Sequence, residues 1–79
     1  MNKIDKRMQE LVYEDEFKYL QSDAKDLLFY VYFIGEDGAL GNASSLGDFI
    51  MIDFDKEVAL LVERGFVDYD KQADQVYII

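Results

Sequence analysis

The chain has 79 residues, of which 51% are apolar and 15% aromatic, and its 17 acidic and 8 basic residues leave a formal charge of −9. That length makes one domain with a small core, and the apolar content excludes an intrinsically disordered chain despite the charge. With no Cys and no His, disulfides, thiol chemistry and His-based proton transfer or metal binding are excluded.

Apolar residues at Ile4, Met8, Leu11, Val12, Phe17 and Leu20 predict an amphipathic helix over residues 4–20, with Lys6, Arg7, Glu10 and Glu14 on its polar face. The first seven residues are charged and no apolar run follows them, so no signal peptide is expected and a cytoplasmic location is the default expectation. Ser22 is expected to cap the next helix, with Asp23 and Asp26 in its first turn. Leu27 to Ile34 is uninterruptedly apolar, about half of what a membrane span needs. Its periodicity fits a buried strand as well as a helix; the Ser22 cap and Gly35 stop favour a helix over residues 22–34.

Residues 35–42, with Gly35, Gly38 and Gly41, read as a turn-rich connection. A phosphate-cradling loop is not expected there: it has no Lys, Arg, Ser or Thr, and Glu36 and Asp37 would repel phosphate. Residues 42–45 are expected to cap a short helix carrying Leu46, Phe49 and Ile50 on one face, weakened by Gly47. Asp53 is a candidate cap for a helix over residues 54–64, with Phe54, Val58, Leu61 and Val62 inward and Gly65 just past its end. Residues 66–69 and 75–79 read as strands around the polar turn Asp70-Lys71-Gln72-Ala73-Asp74, which makes a hairpin.

The order helix, short helix, helix, Gly, hairpin over residues 22–79 resembles a winged helix-turn-helix. Its most specific stretch is Leu60-Leu61-Val62-Glu63-Arg64-Gly65-Phe66-Val67, similar to that family's exit from the third helix into the wing. The resemblance implies a mainly α fold with a small β-hairpin: a winged-helix-like three-helix core plus an added N-terminal helix. It makes 1–79 a single domain, with residues 1–21 as the extension and 22–79 as the core. Leu28, Val31 and Tyr32 would lie on the first core helix, and Leu46, Phe49 and Ile50 on the second. In this family such extensions often pack on the core or mediate dimerisation, so a homodimer through the N-terminal helix is one expectation.

The family's third helix usually enters the DNA major groove and its wing touches phosphates. Carried onto this chain, the groove-facing positions include Asp53, Asp55, Lys56, Glu57, Ala59 and Leu60, and the wing adds Asp68, Asp70 and Asp74 against Lys71. Groove reading calls for Arg, Lys, Asn, Gln or Ser, and phosphates call for cations. Residues 36–79 carry ten acids and three bases, a field that repels nucleic acid and anionic lipid. Direct nucleic-acid binding is therefore not expected. The expected function is a small acidic protein-binding module, a regulator or inhibitor docking on a basic, nucleic-acid-handling protein. Its DNA-mimic-like surface would be made of Asp53, Asp55, Glu57, Asp68, Asp70 and Asp74. By analogy, small size and acidity also suit regulators of phage or mobile-element type.

Two alternatives stand beside this. One is a dimeric winged-helix transcriptional regulator whose cations, five of them before residue 26, gather on the N-terminal helix. The other is a structural or dimerisation module. No enzyme activity, metal or cofactor is expected. The carboxylate clusters Glu14-Asp15-Glu16 and Asp53-x-Asp55-x-Glu57 read as solvated acidic surface; the second lacks the Gly and closing Glu of a calcium loop, and Asp68-Tyr69-Asp70 with Asp74 is similarly incomplete. Ser22, Ser44 and Ser45 have no base to activate them. No membrane partner is expected either. The Tyr and Phe residues are split between core packing and interface anchoring.

Overall fold

The computed structural model describes residues 2–79. The helices are α1 (Lys3–Leu11), α2 (Asp15–Lys18), α3 (Ser22–Ile34), α4 (Leu46–Phe49) and α5 (Phe54–Glu63). The strands are β1 (Ala39–Leu40), β2 (Val67–Asp70) and β3 (Gln75–Ile78), and a 3-10 turn, Ala43–Ser45, leads into α4. The strands form one antiparallel sheet in the order β1-β3-β2. The result is a mainly helical chain with a small antiparallel sheet.

The expected helix over residues 4–20 is broken in two, for a geometric reason. At about 100° per residue, Phe17 and Leu20 would lie on the side of a straight helix opposite Ile4, Met8 and Leu11. Met8, Leu11, Phe17 and Leu20 are nonetheless all buried. The chain achieves this by ending α1 at Leu11 and restarting at Asp15 after an extended Glu14. The Arg7 guanidinium donates through Nε to the Ile79 carbonyl at 2.6 Å and through Nη1 to Glu14 at 3.3 Å, tying α1 to the end of β3 and to this turn. The Tyr32 hydroxyl donates to Asp5, adding a link from α3 to α1. That bond, with burial and the carboxylate charge behind it, raises the Tyr32 pKa.

The run Leu27 to Ile34 is helical. Ala24, Leu27, Leu28 and Val31 form its buried stripe, spaced three, one and three. Ser22 is the first helical residue and not the cap; Gln21 holds that position without a side-chain bond. Gly35 stops α3 in an extended conformation. The connection after it contains an unforeseen strand: Ala39 pairs with Tyr77, and Leu40 with Val76. Gly38, at φ +80°, lies against Ile4, whose Cδ1 would be 2.6 Å from any added Cβ.

Asp53 caps α5 as expected, its carboxylate accepting from the Lys56 N–H at 3.3 Å. Phe54, Val58 and Leu61 point into the core, but Val62 is 40% exposed and Glu57 is buried in its place on the inner face. On α4, Leu46 is buried while Phe49 is exposed, so the expected common face of Leu46 and Phe49 is split. α5 ends in a Schellman turn: Phe66 N–H bonds to the Leu61 carbonyl and Gly65 N–H to the Val62 carbonyl, both at 3.0 Å, with Gly65 at φ +80°. That turn drops Phe66, 1% exposed, into the core beside Phe17. Leu11, Leu27, Leu28, Leu61, Val67 and Val76 complete the innermost layer.

A Cβ at Gly65 would force an L-residue into the left-handed region, which costs about 1–2 kcal/mol. Gly65→Ala is expected to lower the unfolding free energy by about that amount in urea titrations. Gly41→Ala, whose Cβ would meet nothing within 4 Å, is expected to change it little.

Candidate functional site

The α5–hairpin face is where the sequence placed its acidic surface, and the six carboxylates fall into four environments. Asp53 and Asp55 are exposed on the first turn of α5. Asp55 borders a groove of about 550 Å³ between α5 and the hairpin, lined also by Ala59, Val62, Glu63, Tyr69 and Lys71. Glu63, exposed two turns on from Asp55, was not among the expected residues. Its helical spacing from Asp55 and Ala59 is the signal that could have found it.

Asp68 and Asp70 are exposed on the opposite face of the sheet. Val67 and Tyr69 alternate with them on β2 and turn toward the core, so the two aspartates share the outer face with their cross-strand partners Tyr77 and Gln75. Asp70 also accepts from the Ala73 N–H at 3.2 Å, closing the hairpin turn.

Glu57 does not belong to the surface. It is 3% exposed, and its Oε2 has no hydrogen-bond partner among the described residues. The resemblance placed it outward with Asp53 and Asp55. Asp55 and Glu57 point to nearly opposite sides of the helix, and Glu57 lies one turn after Phe54, on the core side with Phe54, Val58 and Leu61.

Asp74 is half-buried, and internal donors engage its carboxylate. It accepts from the Ser44 hydroxyl at 2.5 Å, the Ser44 N–H at 3.0 Å and the Tyr69 hydroxyl at 2.8 Å. Its own carbonyl accepts from the Ala43 N–H at 3.0 Å. Asp74 thus joins the hairpin turn to the 3-10 turn before α4, with its backbone at φ +51°. The Ser44 hydroxyl is the main cause that holds its carboxyl below the ordinary 3.8, against the opposing effect of burial, with the Tyr69 hydroxyl and Ser44 N–H also lowering it. Tyr69, stacked edge-on against Phe54 at 5.4 Å, is pushed up to about 12, by burial first and then by Asp74 and neighbouring carboxylates.

The cations are dispersed. Arg7 is committed to Glu14, Glu10 and Ile79. Lys25 donates to the Lys18 carbonyl at 3.3 Å and lies over the Phe17 ring at 5.3 Å. Lys56, Arg64 and Lys71 are exposed around α5 and the hairpin. Among the described residues no group of three carboxylates converges to hold a metal ion, and no helix is long and apolar enough to cross a membrane. No protein family, curated protein or solved structure matches the chain.

Two outcomes follow from the buried and half-buried carboxylates. Glu57→Met replaces an unpartnered buried carboxylate with an apolar side chain of similar length, and is expected to raise the unfolding free energy by about 1–2 kcal/mol in urea. For Asp74 the folded pKa lies below the unfolded one. Its contribution is therefore complete above 3.8 and is lost as pH falls through the folded value. For Tyr69 the folded pKa lies above 10.0, so its contribution holds below that and is lost as pH rises toward about 12. Thermal melts should show Asp74→Asn less stable than the parent at neutral pH, with the gap closing as pH drops below 3.8. A constant gap down to pH about 2 would contradict this account.

Proposed function

We propose that the chain is a protein-binding module of the winged helix-turn-helix type, and that it docks through carboxylates of the α5–hairpin region on a basic, nucleic-acid-handling protein. The order of α3, α4, α5, Gly65 and hairpin supports the family reading. The observation that carries the function is the set of carboxylates left exposed there: Asp53, Asp55 and Glu63 on α5, and Asp68 and Asp70 on the outer sheet face. Lys56, Arg64 and Lys71 offset them only in part. A third helix with this surface presents to a basic groove the kind of charge that DNA would present.

The DNA-binding alternative has less support. It needs cations gathered on the N-terminal helix, and Arg7 there is already paired with Glu10 and Glu14. A dimer through that helix would have to use residues other than Met8 and Leu11, which are buried within the chain; Tyr13 and Tyr19 are the exposed apolar residues of that segment.

Affinity capture at low and high salt tests the proposal. Captured partners should be basic, should dissociate with an affinity loss of about tenfold or more between low and physiological salt, and should be displaced by duplex DNA. The triple variant Asp55→Lys, Asp68→Lys, Asp70→Lys should fail to capture them. Neutral or acidic partners held regardless of salt would overturn the proposal. A mobility shift of duplex DNA by micromolar protein at low salt would favour the regulator instead.

A further inference from the structure

A second surface lies at the C-terminal end of α3. The C-terminal end of α3, β1 and α4 enclose an open groove of about 620 Å³ whose apolar lining is Ile34, Leu40, Leu46 and Phe49. Two of these are strongly exposed, Ile34 at 52% and Phe49 at 69%. The apolar surface continues along the outer face of α3. Phe49 meets Tyr30 edge-on at 5.9 Å, and Phe33, 75% exposed, stacks on Phe29 at 6.3 Å. Side chains of this size left contiguous and in water mark a contact surface.

The charged lining of the groove is acidic. Asp48 is its only charged lining residue, and Glu36 and Asp37 are exposed on the turn joining α3 to β1. From Asp26 to Asp55 the sequence has no Lys or Arg, and each charged residue is a carboxylate. This stretch supplies every residue that lines the groove. A second copy of the chain would bring the same acidic rim against this one, which like-charge repulsion opposes. A strand added to the sheet is also disfavoured. The outward backbone groups of Ala39 are already satisfied by Glu36, N–H to carbonyl in both directions at 2.9 and 3.0 Å. Recognition must then run through side chains, as when an amphipathic helix lays its apolar face into a groove.

We infer that this groove binds an amphipathic helix of a partner protein, whose apolar face sits on Ile34, Leu40 and Phe49 and whose flanking Lys or Arg residues meet Asp48, Glu36 and Asp37. The surface is separate from the α5–hairpin carboxylates, so the chain has two faces for basic partners, one polar and one apolar at its centre.

The test uses a fluorescent peptide of about 18 residues, five helical turns, with Leu at the i, i+3, i+4, i+7 positions and Lys elsewhere. Two controls accompany it: the same composition scrambled out of helical register, and the same apolar face with Glu in place of Lys. By fluorescence anisotropy the Leu/Lys helix should bind at least about tenfold tighter than either control. Ile34→Ser and Phe49→Ser, tested separately with the fold checked by circular dichroism, should each weaken it by about tenfold. Asp48→Lys should weaken it by about threefold or more and flatten its salt dependence. The triple variant Asp55→Lys, Asp68→Lys, Asp70→Lys should bind it as the parent does, so failure here is distinguishable from failure of the α5–hairpin surface. Equal binding of the scrambled peptide, or indifference to both Ser variants, would overturn the inference. So would a dimer in sedimentation velocity that is lost on Phe49→Ser, since a second copy would then cover the groove.

Discussion

Burial of one stripe of α3 organises the fold. Ala24, Leu27, Leu28 and Val31 are each 0% exposed, and α3 packs against α5, β1 and β3. In a chain this short, one central helix has to supply the inner wall for nearly every other element. The cost falls on its other side. The same apolar run that provides the stripe leaves Phe33 and Ile34 exposed and Phe29 and Tyr30 only half-buried, because a helix of apolar residues cannot bury all its faces in a two-layer domain. The groove at Ile34 and Phe49 is thus a direct consequence of how the core is made.

Polar contacts then fix how the outer elements meet that core. Arg7 holds α1 to the end of β3, the Schellman turn at Gly65 aims Phe66 inward, and Asp74 joins the hairpin to the entry of α4. Asp74 and Glu57 show the two fates of a carboxylate drawn off the surface. Asp74 is surrounded by donors that favour its charged form, whereas Glu57 has an oxygen with no partner. Hydrogen bonds to a carboxylate stabilise it; burial without them does the opposite.

The electrostatic character of the molecule comes from what remains outside. Asp53, Asp55 and Glu63 border α5, Asp68 and Asp70 occupy the outer sheet face, Asp48 lines the α3–α4 groove, and Glu36 and Asp37 are exposed on the turn after α3. The acidic surface is therefore several small fields, each beside a different kind of neighbour. The one at the α3–α4 groove lies beside the exposed apolar side chains of Ile34 and Phe49. Charge arranged around a hydrophobic contact attracts a basic partner differently from long-range charge alone.

Much of this could be read from the residues. The capping role of Asp53, the helical end at Gly65 and the hairpin around residues 70–74 follow from local chemistry, since caps, left-handed glycines and turn residues act within a few positions. The run Leu27 to Ile34 is helical, but Ser22, one of the two grounds for expecting that, is not its cap. The net charge, and its concentration after residue 35, is a property of sequence alone. What only the folded chain decided was direction. The break at residues 12–14, the strand at Ala39–Leu40, the outward turn of Phe49 and Val62, and the withdrawal of Glu57 and Asp74 from the acidic surface each depend on residues distant in sequence. Phe17 and Leu20 must reach a core that α1 already faces, Ala39 needs Tyr77, and Asp74 needs Ser44. Composition sets how many carboxylates there are, but long-range packing decides which of them water, or a partner, can reach.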